Sequence, residues 1–291
     1  MKTWFITGAT GGLASQVVKQ LLERGDQVAA TVRQTDALDQ LQKEYGQHLR
    51  QYQLDLTNLD QINNVVAQAF NDFGSIDVIL NNAAYGLYGA VEEVSDEQIQ
   101  QLFQVNVFGS LRVARAVIPF LRNQQYGQIV QIASMAGEYS EPAMGLYSAS
   151  KWAIEGAFEA LAMEVKPFGI KVVIVEPGGI RTNFAGKKAS VGESMQAYKD
   201  TQVGKFMNLL TGQVSEMDAE QMKLLIAGDP DKMAKQIISR VDRGEGPLRL
   251  ALGSDAYTKI RASLEHRLSD LDAQKNISYL TDADDMKNKT K

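Results

Sequence analysis

Short apolar runs alternate with longer amphipathic stretches through the first 185 residues, and this alternation limits the fold more than any other feature. "TWFIT" (3–7) and "QVAATV" (27–32) read as buried strands. Between them, "LASQVVKQLLERG" (13–25) has helical spacing and ends on Gly25, a C-cap. The pattern repeats as a helix near 35–45, a strand "LRQYQLD" (49–55), a helix at 58–73 and a strand "DVILNN" (77–82). Helices over roughly 95–122 then lead to strand "GQIVQIAS" (127–134), helix 147–165 and strand "IKVVIVEP" (170–177). Connections as long as a helix imply parallel pairing, with the sheet covered on both faces. The predicted class is α/β.

No linker interrupts this pattern, so residues 1–291 are expected to form a single domain. Residues 1–185 make its core, 186–230 a substrate lid where the periodicity weakens, and 231–291 a C-terminal helix, strand, helix and tail. Those last elements fall at 231–243, 247–252 and 255–273, and the tail "TDADDMKNKTK" reads as a charged, frayed end.

At 291 residues, 44% of them apolar, the chain can bury one large core. A net charge of −5 without any basic block argues against nucleic acid as a partner. There is no cysteine, and histidine occurs only as His48 and His266, so zinc and thiol chemistry are excluded and no metal is expected. The apolar run in "MKTWFITGATGG" is too short for a signal peptide, and no window approaches the ~20 apolar residues of a membrane helix. A cytoplasmic protein without a membrane span is the expectation.

"TGATGGLA" (7–14) sits where the first strand turns into the first helix. Glycines there permit a tight turn and let backbone N–H groups approach a pyrophosphate at the helix N-terminus. With the parallel α/β pattern this predicts a Rossmann-type doubly wound sheet that binds a dinucleotide through Gly8, Thr10, Gly11, Gly12 and Leu13.

On these residues the chain resembles the short-chain dehydrogenase/reductase family, whose pattern is Thr-Gly-x-x-x-Gly-x-Gly. Thr7, Gly8 and Gly12 match, and Ala14 departs at the third glycine, a position that serves helix packing. The resemblance implies that Asp55 receives the adenine amino group while Leu56 flanks the ring. It also implies that "NNAA" (81–84) brings Asn82 to the adenosine ribose and lines the cofactor with the backbone of Ala83 and Ala84. In "PGGIRT" (177–182), Pro177 and Gly178 would shape a segment whose Ile180 backbone and Thr182 hydroxyl hold the nicotinamide carboxamide. Within the family, residues 81–122 look most like hydroxysteroid and retinol dehydrogenase-like members.

Tyr147 and Lys151, in "LYSASKWAIEGAF" (146–158), stand four apart and so share one helical face. Such a pair arises readily by chance. Asn106 in the preceding helix, Ser134 at a strand end, Tyr147 and Lys151 nevertheless follow the order of the family's catalytic tetrad. The chemistry suits the residue types. Hydride delivered to a carbonyl leaves an oxyanion that a phenol can protonate, and a nearby ammonium lowers a phenol pKa from its usual value of about 10. Lys151 would also bind ribose hydroxyls, Ser134 would hold the substrate oxygen, and Asn106 would hold a water that refills the proton relay.

An apolar ketone or aldehyde, interconverted with its alcohol, is the expected small-molecule substrate. Tyr85, Met135, Met144, Gly179 and Phe184 would line its pocket, with Met195, Met207 and Met217 serving either pocket or lid packing. Strand two ends "ATVRQ", with Val32 where NAD-preferring relatives carry aspartate and Arg33 next to it. A guanidinium matches a 2′-phosphate, so NADP(H) is preferred and NAD(H) remains possible. The family commonly assembles through a four-helix interface, which makes a homodimer or homotetramer the expectation, with Ala153, Phe158 and Leu161 either in its seam or packed internally. Two other readings stand beside this one. A non-catalytic redox regulator of this fold would usually have lost the tyrosine or lysine. A sugar-nucleotide epimerase or dehydratase would space its glycines as Gly-x-x-Gly-x-x-Gly, which Gly8 and Gly11 fit and Ala14 breaks.

Overall fold

The computed structural model describes residues 1–182, 184, 189–211 and 226–283. Strand β1 (Thr3–Ile6) has Trp4, Phe5 and Ile6 wholly excluded from solvent, as a central strand covered on both faces must. It pairs in parallel with β2 (Gln27–Val32) on one side and β4 (Val78–Asn81) on the other. Adding β3 (Leu49–Gln53), β6 (Gly127–Ile132), β7 (Ile170–Pro177) and β9 (Arg249–Leu252) gives a seven-stranded parallel sheet ordered β3-β2-β1-β4-β6-β7-β9. The strand order reverses between β1 and β4, and that switch point is where sheets of this kind open a crevice for ligands.

Helices cover both faces. On one, α1 (Gly12–Glu23) packs Ala14, Val17, Val18 and Leu21 onto the sheet, beside a helix at Pro230–Arg243 that buries Ile237 and Val241. On the other lie α3 (Leu59–Phe73), α5 (Ser110–Gln124) and α6 (Gly145–Val165). Ala14 is fully buried, so the departure from glycine sits in the packing layer, as expected. Phe158 is not part of an exposed seam. It is completely buried in the second core, with Ala153 and Leu161 packed against that core. Phe158→Ala should therefore cost about 3–5 kcal/mol of folding stability, seen as a lower denaturant midpoint. A stable variant that merely loses its quaternary structure would contradict this placement.

Three local features differ from the sequence expectation. The helix foreseen at 35–45 forms only over Asp39–Tyr45 (α2), because the Gln51 side chain on β3 takes the Leu38 N–H and holds the preceding residues in turns. The helical region 95–122 divides into α4 (Asp96–Phe103), a π-helical turn at Gln104–Gly109 and α5. Residues 186–230, taken as the lid, contain β8 (Ser190–Val191), which pairs with β5 (Leu87–Tyr88) in a small parallel ribbon, and α7 (Gln202–Thr211). Met217 and part of the tail lie outside the described residues. At the C-terminal end, α8 (Pro230–Arg243) and β9 lead to α9 (Ser254–Ala273) and a further short helix, α10 (Lys275–Leu280). No helix among the described residues is long and apolar enough to cross a membrane.

Candidate active site

The glycine turn after β1 is tied to the end of β4 by a compact polar network. Thr7 Oγ1 accepts the N–H groups of Asn82 at 2.9 Å and Ala83 at 3.1 Å. Asn82 Nδ2 donates back to Thr7 O at 3.1 Å and Gly8 O at 3.2 Å. The Asn82 amide thus holds the turn itself, a supporting task beyond the ribose contact implied by resemblance. Gly8 has φ +64° and a Cβ there would lie 2.9 Å from the Ala83 side chain, so the position is closed to larger residues. A Cβ on Gly12 would collide with the Thr182 side chain, which places the 177–182 segment against the glycine turn.

Gly11 caps α1 without a side-chain hydrogen bond, and no acidic residue occupies the first turn. The first-turn N–H groups, among them those of Gly12 and Leu13, are therefore free of side-chain acceptors, while Thr10, Gly11 and Gly12 are exposed. This cradle fits the pyrophosphate of a dinucleotide. Ala84 lies half-buried beside it. Along the same crevice Arg33 is exposed just past β2, its carbonyl accepting from Gln53 Nε2 at 3.2 Å. The Asp55 carboxylate accepts from both the N–H and the hydroxyl of Thr57, which fixes the turn ahead of α3, and Leu56 is buried beside Gly109.

β7 ends on Pro177, and the chain that follows is pinned by the C-terminal elements. Gly178 N–H donates to Leu252 O and Gly179 N–H to Asp255 Oδ2 at 2.7 Å, while Ile180 bridges to Gly228. Asp255 had no sequence signal. It is recognisable only once α9 is seen to start beside this loop.

Tyr147 and Lys151 sit on the first turns of α6, 6% and 2% exposed. Lys151 Nζ is 5.8 Å from the Tyr147 ring centroid and donates to Ile132 O at 3.2 Å. Ser134, two residues past β6, lies close enough to the Tyr147 phenol to act on its pKa, and its hydroxyl accepts the Ala136 N–H at 3.1 Å. Asn106 is reached through the π-helical turn. Its Oδ1 accepts Tyr85 N–H at 3.0 Å, and its Nδ2 donates to Tyr85 O at 2.9 Å and Ser150 Oγ at 3.3 Å. The extra residue in the turn aims this amide inward, and its hydrogen bonds compensate for the broken helical pattern.

The electrostatics differ from the sequence argument, which had the ammonium lowering the phenol pKa. Burial pushes the Tyr147 phenol well above its ordinary value, with Tyr88 adding to the rise and the Ser134 hydroxyl opposing it. Burial lowers Lys151 to about 8, against the pull of Glu155. Both groups lose solvation in this interior, and that loss is the largest influence on each.

Over Tyr147 stands an aromatic group that the sequence reading missed in part. The Tyr147 ring lies 6.0 Å from both the Tyr88 and Phe184 rings, and Tyr88 lies 5.9 Å from Phe206 on α7. Ala143, Met144, Val203 and Met207 complete this apolar cluster, while Met195 is exposed. Met135 is half-buried in the turn after Ser134, and Gly179 adjoins Ile226. Tyr85 packs with Leu87, Leu102 and Leu146 in a separate group. Tyr88 and Phe206 could not be singled out among ten tyrosines and ten phenylalanines, because only chain closure brings β5 and α7 to α6.

With this geometry in view, the comparisons are consistent with one another. The family model "short chain dehydrogenase" matches residues 2–191. The chain belongs to the short-chain dehydrogenase family, and it is an oxidoreductase. It is 35% identical over 256 residues to "Oxidoreductase BOA17" of Botryotinia fuckeliana (strain B05.10), covering 88% of this chain and 90% of that one. An NADPH-dependent 3-dehydrocapnine reductase of Ornithobacterium rhinotracheale is 30% identical over 224 residues, 75% of this chain and 78% of its own. The crystal structure of a short-chain dehydrogenase from Streptomyces avermitilis superposes with a TM-score of 0.86 at 37% identity, over 97% of this chain and all of the other. Structures of this fold have also been solved with NADP bound.

Proposed function

We propose that the protein is an NADP(H)-dependent oxidoreductase that interconverts a hydrophobic ketone or aldehyde and its alcohol, with Tyr147 as general acid and base. One observation carries the reading: the Tyr147 phenol lies between Ser134 and Lys151 and an apolar aromatic cluster, at the end of the sheet that holds the glycine cradle. The preference for NADP(H) rests on Arg33, and the NADPH-dependent relative points the same way.

The dinucleotide supplies a hydride to the carbonyl carbon when bound. Gly12 and Leu13 offer it backbone donors, the Gly8–Gly11 turn shapes their approach, and Ile180 and Thr182 bound the far end of its cradle. The Ser134 hydroxyl fixes the substrate oxygen beside Tyr147, which donates its proton as charge develops there. Lys151, charged below about pH 8, stabilises the phenolate that remains. Tyr88, Phe184 and Phe206 exclude water and accept an apolar substrate. Asn106 ties the loop after β4 to Ser150, which keeps α6 in register with the cradle. In oxidation the same groups act in reverse, with Tyr147 taking the alcohol proton.

The test is NADPH consumption against a panel of apolar ketones and aldehydes, with small polar carbonyls for contrast. Turnover confined to apolar members supports the reading. Equal turnover of the small polar ones would overturn the substrate class.

A further inference from the structure

Three carboxylates converge behind the reacting pair, each on an element that also carries a site residue. Glu155 lies one helical turn beyond Lys151 and is 4% exposed. Glu138 follows the turn that begins at Ser134, and Glu176, 2% exposed, directly precedes Pro177. Carboxylate oxygens of the three lie within 4.8 Å of one another. From β9, Arg249 Nε stands 3.0 Å from Glu155 and 3.4 Å from both Glu138 and Glu176, and its Nη2 is 2.8 Å from Glu159. From α9, Arg267 pairs with Glu138 at 2.9 Å and lies over the Trp152 ring. These residues line a cavity of about 490 Å³. Glu155 Oε1 and Glu176 Oε1 are both buried without a hydrogen-bond partner.

Charge decides what this cluster holds. Glu138, Glu155, Glu159 and Glu176 against Arg249, Arg267 and the adjoining Lys151 ammonium leave one negative charge uncompensated, with Glu155 and Glu176 almost wholly out of water. Such a pair cannot stay fully ionised without a further cation. The central cation position is already filled, since Arg249 Nε is within 3.4 Å of all three acids. The cation that still fits is the proton. Burial, with neighbouring carboxylates adding to it, raises Glu155 to about 8 and Glu176 to about 7.

We propose that Glu155 and Glu176 share a proton behind the reacting pair, and that Glu155 is a positioning residue that sets the charge on Lys151. This rests on the reading of Lys151 as the ammonium serving Tyr147. The polar groups about Lys151 are Tyr147 and Glu155 on its own helix and the Ile132 carbonyl at the end of β6. Glu155 is the group whose charge favours the ammonium, and it faces Glu138, Glu176 and Arg249 on its other side. Protonated, Glu155 is neutral and burial alone acts on Lys151. As pH rises through about 8, Glu155 releases its proton, and the new negative charge keeps Lys151 protonated. Glu155→Gln fixes the neutral form, so the next proton lost must come from Lys151. Glu176→Gln removes the neighbour that holds Glu155 neutral, and acts in the opposite direction.

The experiment is the pH profile of kcat/KM for wild type, Glu155→Gln and Glu176→Gln, with Tyr147→Phe as control. Glu155→Gln should match wild type near pH 6.5 and lose activity about one pH unit earlier on the alkaline side, roughly tenfold at pH 9. Glu176→Gln should leave that limb in place or move it upward. Thermal unfolding gives a readout that needs no turnover. Carboxyls whose folded pKa is raised confer stability that is full below their unfolded pKa and is lost as pH rises through the folded one. Wild type should therefore lose melting temperature between about pH 5 and pH 8, and Glu155→Gln should lose less. Equal melting slopes would overturn the shared proton, and so would saturable Mn²⁺ binding that Glu155→Gln abolishes. An unmoved alkaline limb in Glu155→Gln, with Tyr147→Phe inactive, would overturn the positioning role alone. If Tyr147→Phe keeps its turnover, the underlying reading of the site has failed instead.

Discussion

Tyr147→Phe is expected to lower kcat by about 10³-fold or more while leaving dinucleotide affinity nearly unchanged. The substitution removes one oxygen, the proposed proton donor, and keeps the ring that packs against Tyr88 and Phe184. The glycine cradle is built from Thr7, Asn82 and the start of α1, none of which contacts that oxygen. A loss confined to kcat is the mark of an interaction made only in the transition state. The retained ring keeps its packing, so stability should change little. Turnover above a tenth of wild type would mean that some other group moves the proton.

Arg33→Asp is expected to raise the KM for NADPH on the order of 10²-fold and to leave the KM for NADH the same or lower. The guanidinium stands exposed at the end of β2, next to Val32, where the ribose end of the cofactor belongs. Reversing its charge removes an attraction to a 2′-phosphate and adds a repulsion, while a carboxylate there accepts hydrogen bonds from a free 2′-hydroxyl. The comparison must be made at fixed ionic strength, because an exposed charge is screened by salt. If the two cofactors change in parallel, Arg33 is a solvated surface residue and the NADP(H) preference has another origin.

Local pattern determined which parts of the fold could be read in advance. Buried parallel strands are short continuous apolar runs, and the helices between them carry apolar stripes, so the sheet, its layers and the glycine turn were legible. Tyr147, Lys151 and Ser134 were legible because their spacing lies within one strand–helix unit, β6 to α6. Tyr88, Phe206 and Asp255 reach the site from β5, α7 and α9, and no local pattern records that meeting. The π-helical turn at Asn106 is invisible for a similar reason: its irregular hydrogen bonding is compensated by Tyr85 and Ser150, both distant in sequence. The phenol pKa was misjudged because a sequence shows which charges are neighbours and not how much water both groups lose. Glu138, Glu155 and Glu176 went unnoticed because they come from a turn, a helix and a strand that only the fold brings together.

The central claim is hydride transfer to a carbonyl at Tyr147, and isotope transfer tests it most directly. Wild-type protein is incubated with NADPH deuterated at the transferable C4 position and with the best apolar ketone or aldehyde of the panel, and the alcohol is examined by mass spectrometry. The account predicts one deuterium on the carbinol carbon for each NADPH consumed, and no labelled alcohol from Tyr147→Phe under the same conditions. Alcohol formed without deuterium, or labelled equally by Tyr147→Phe, would contradict it.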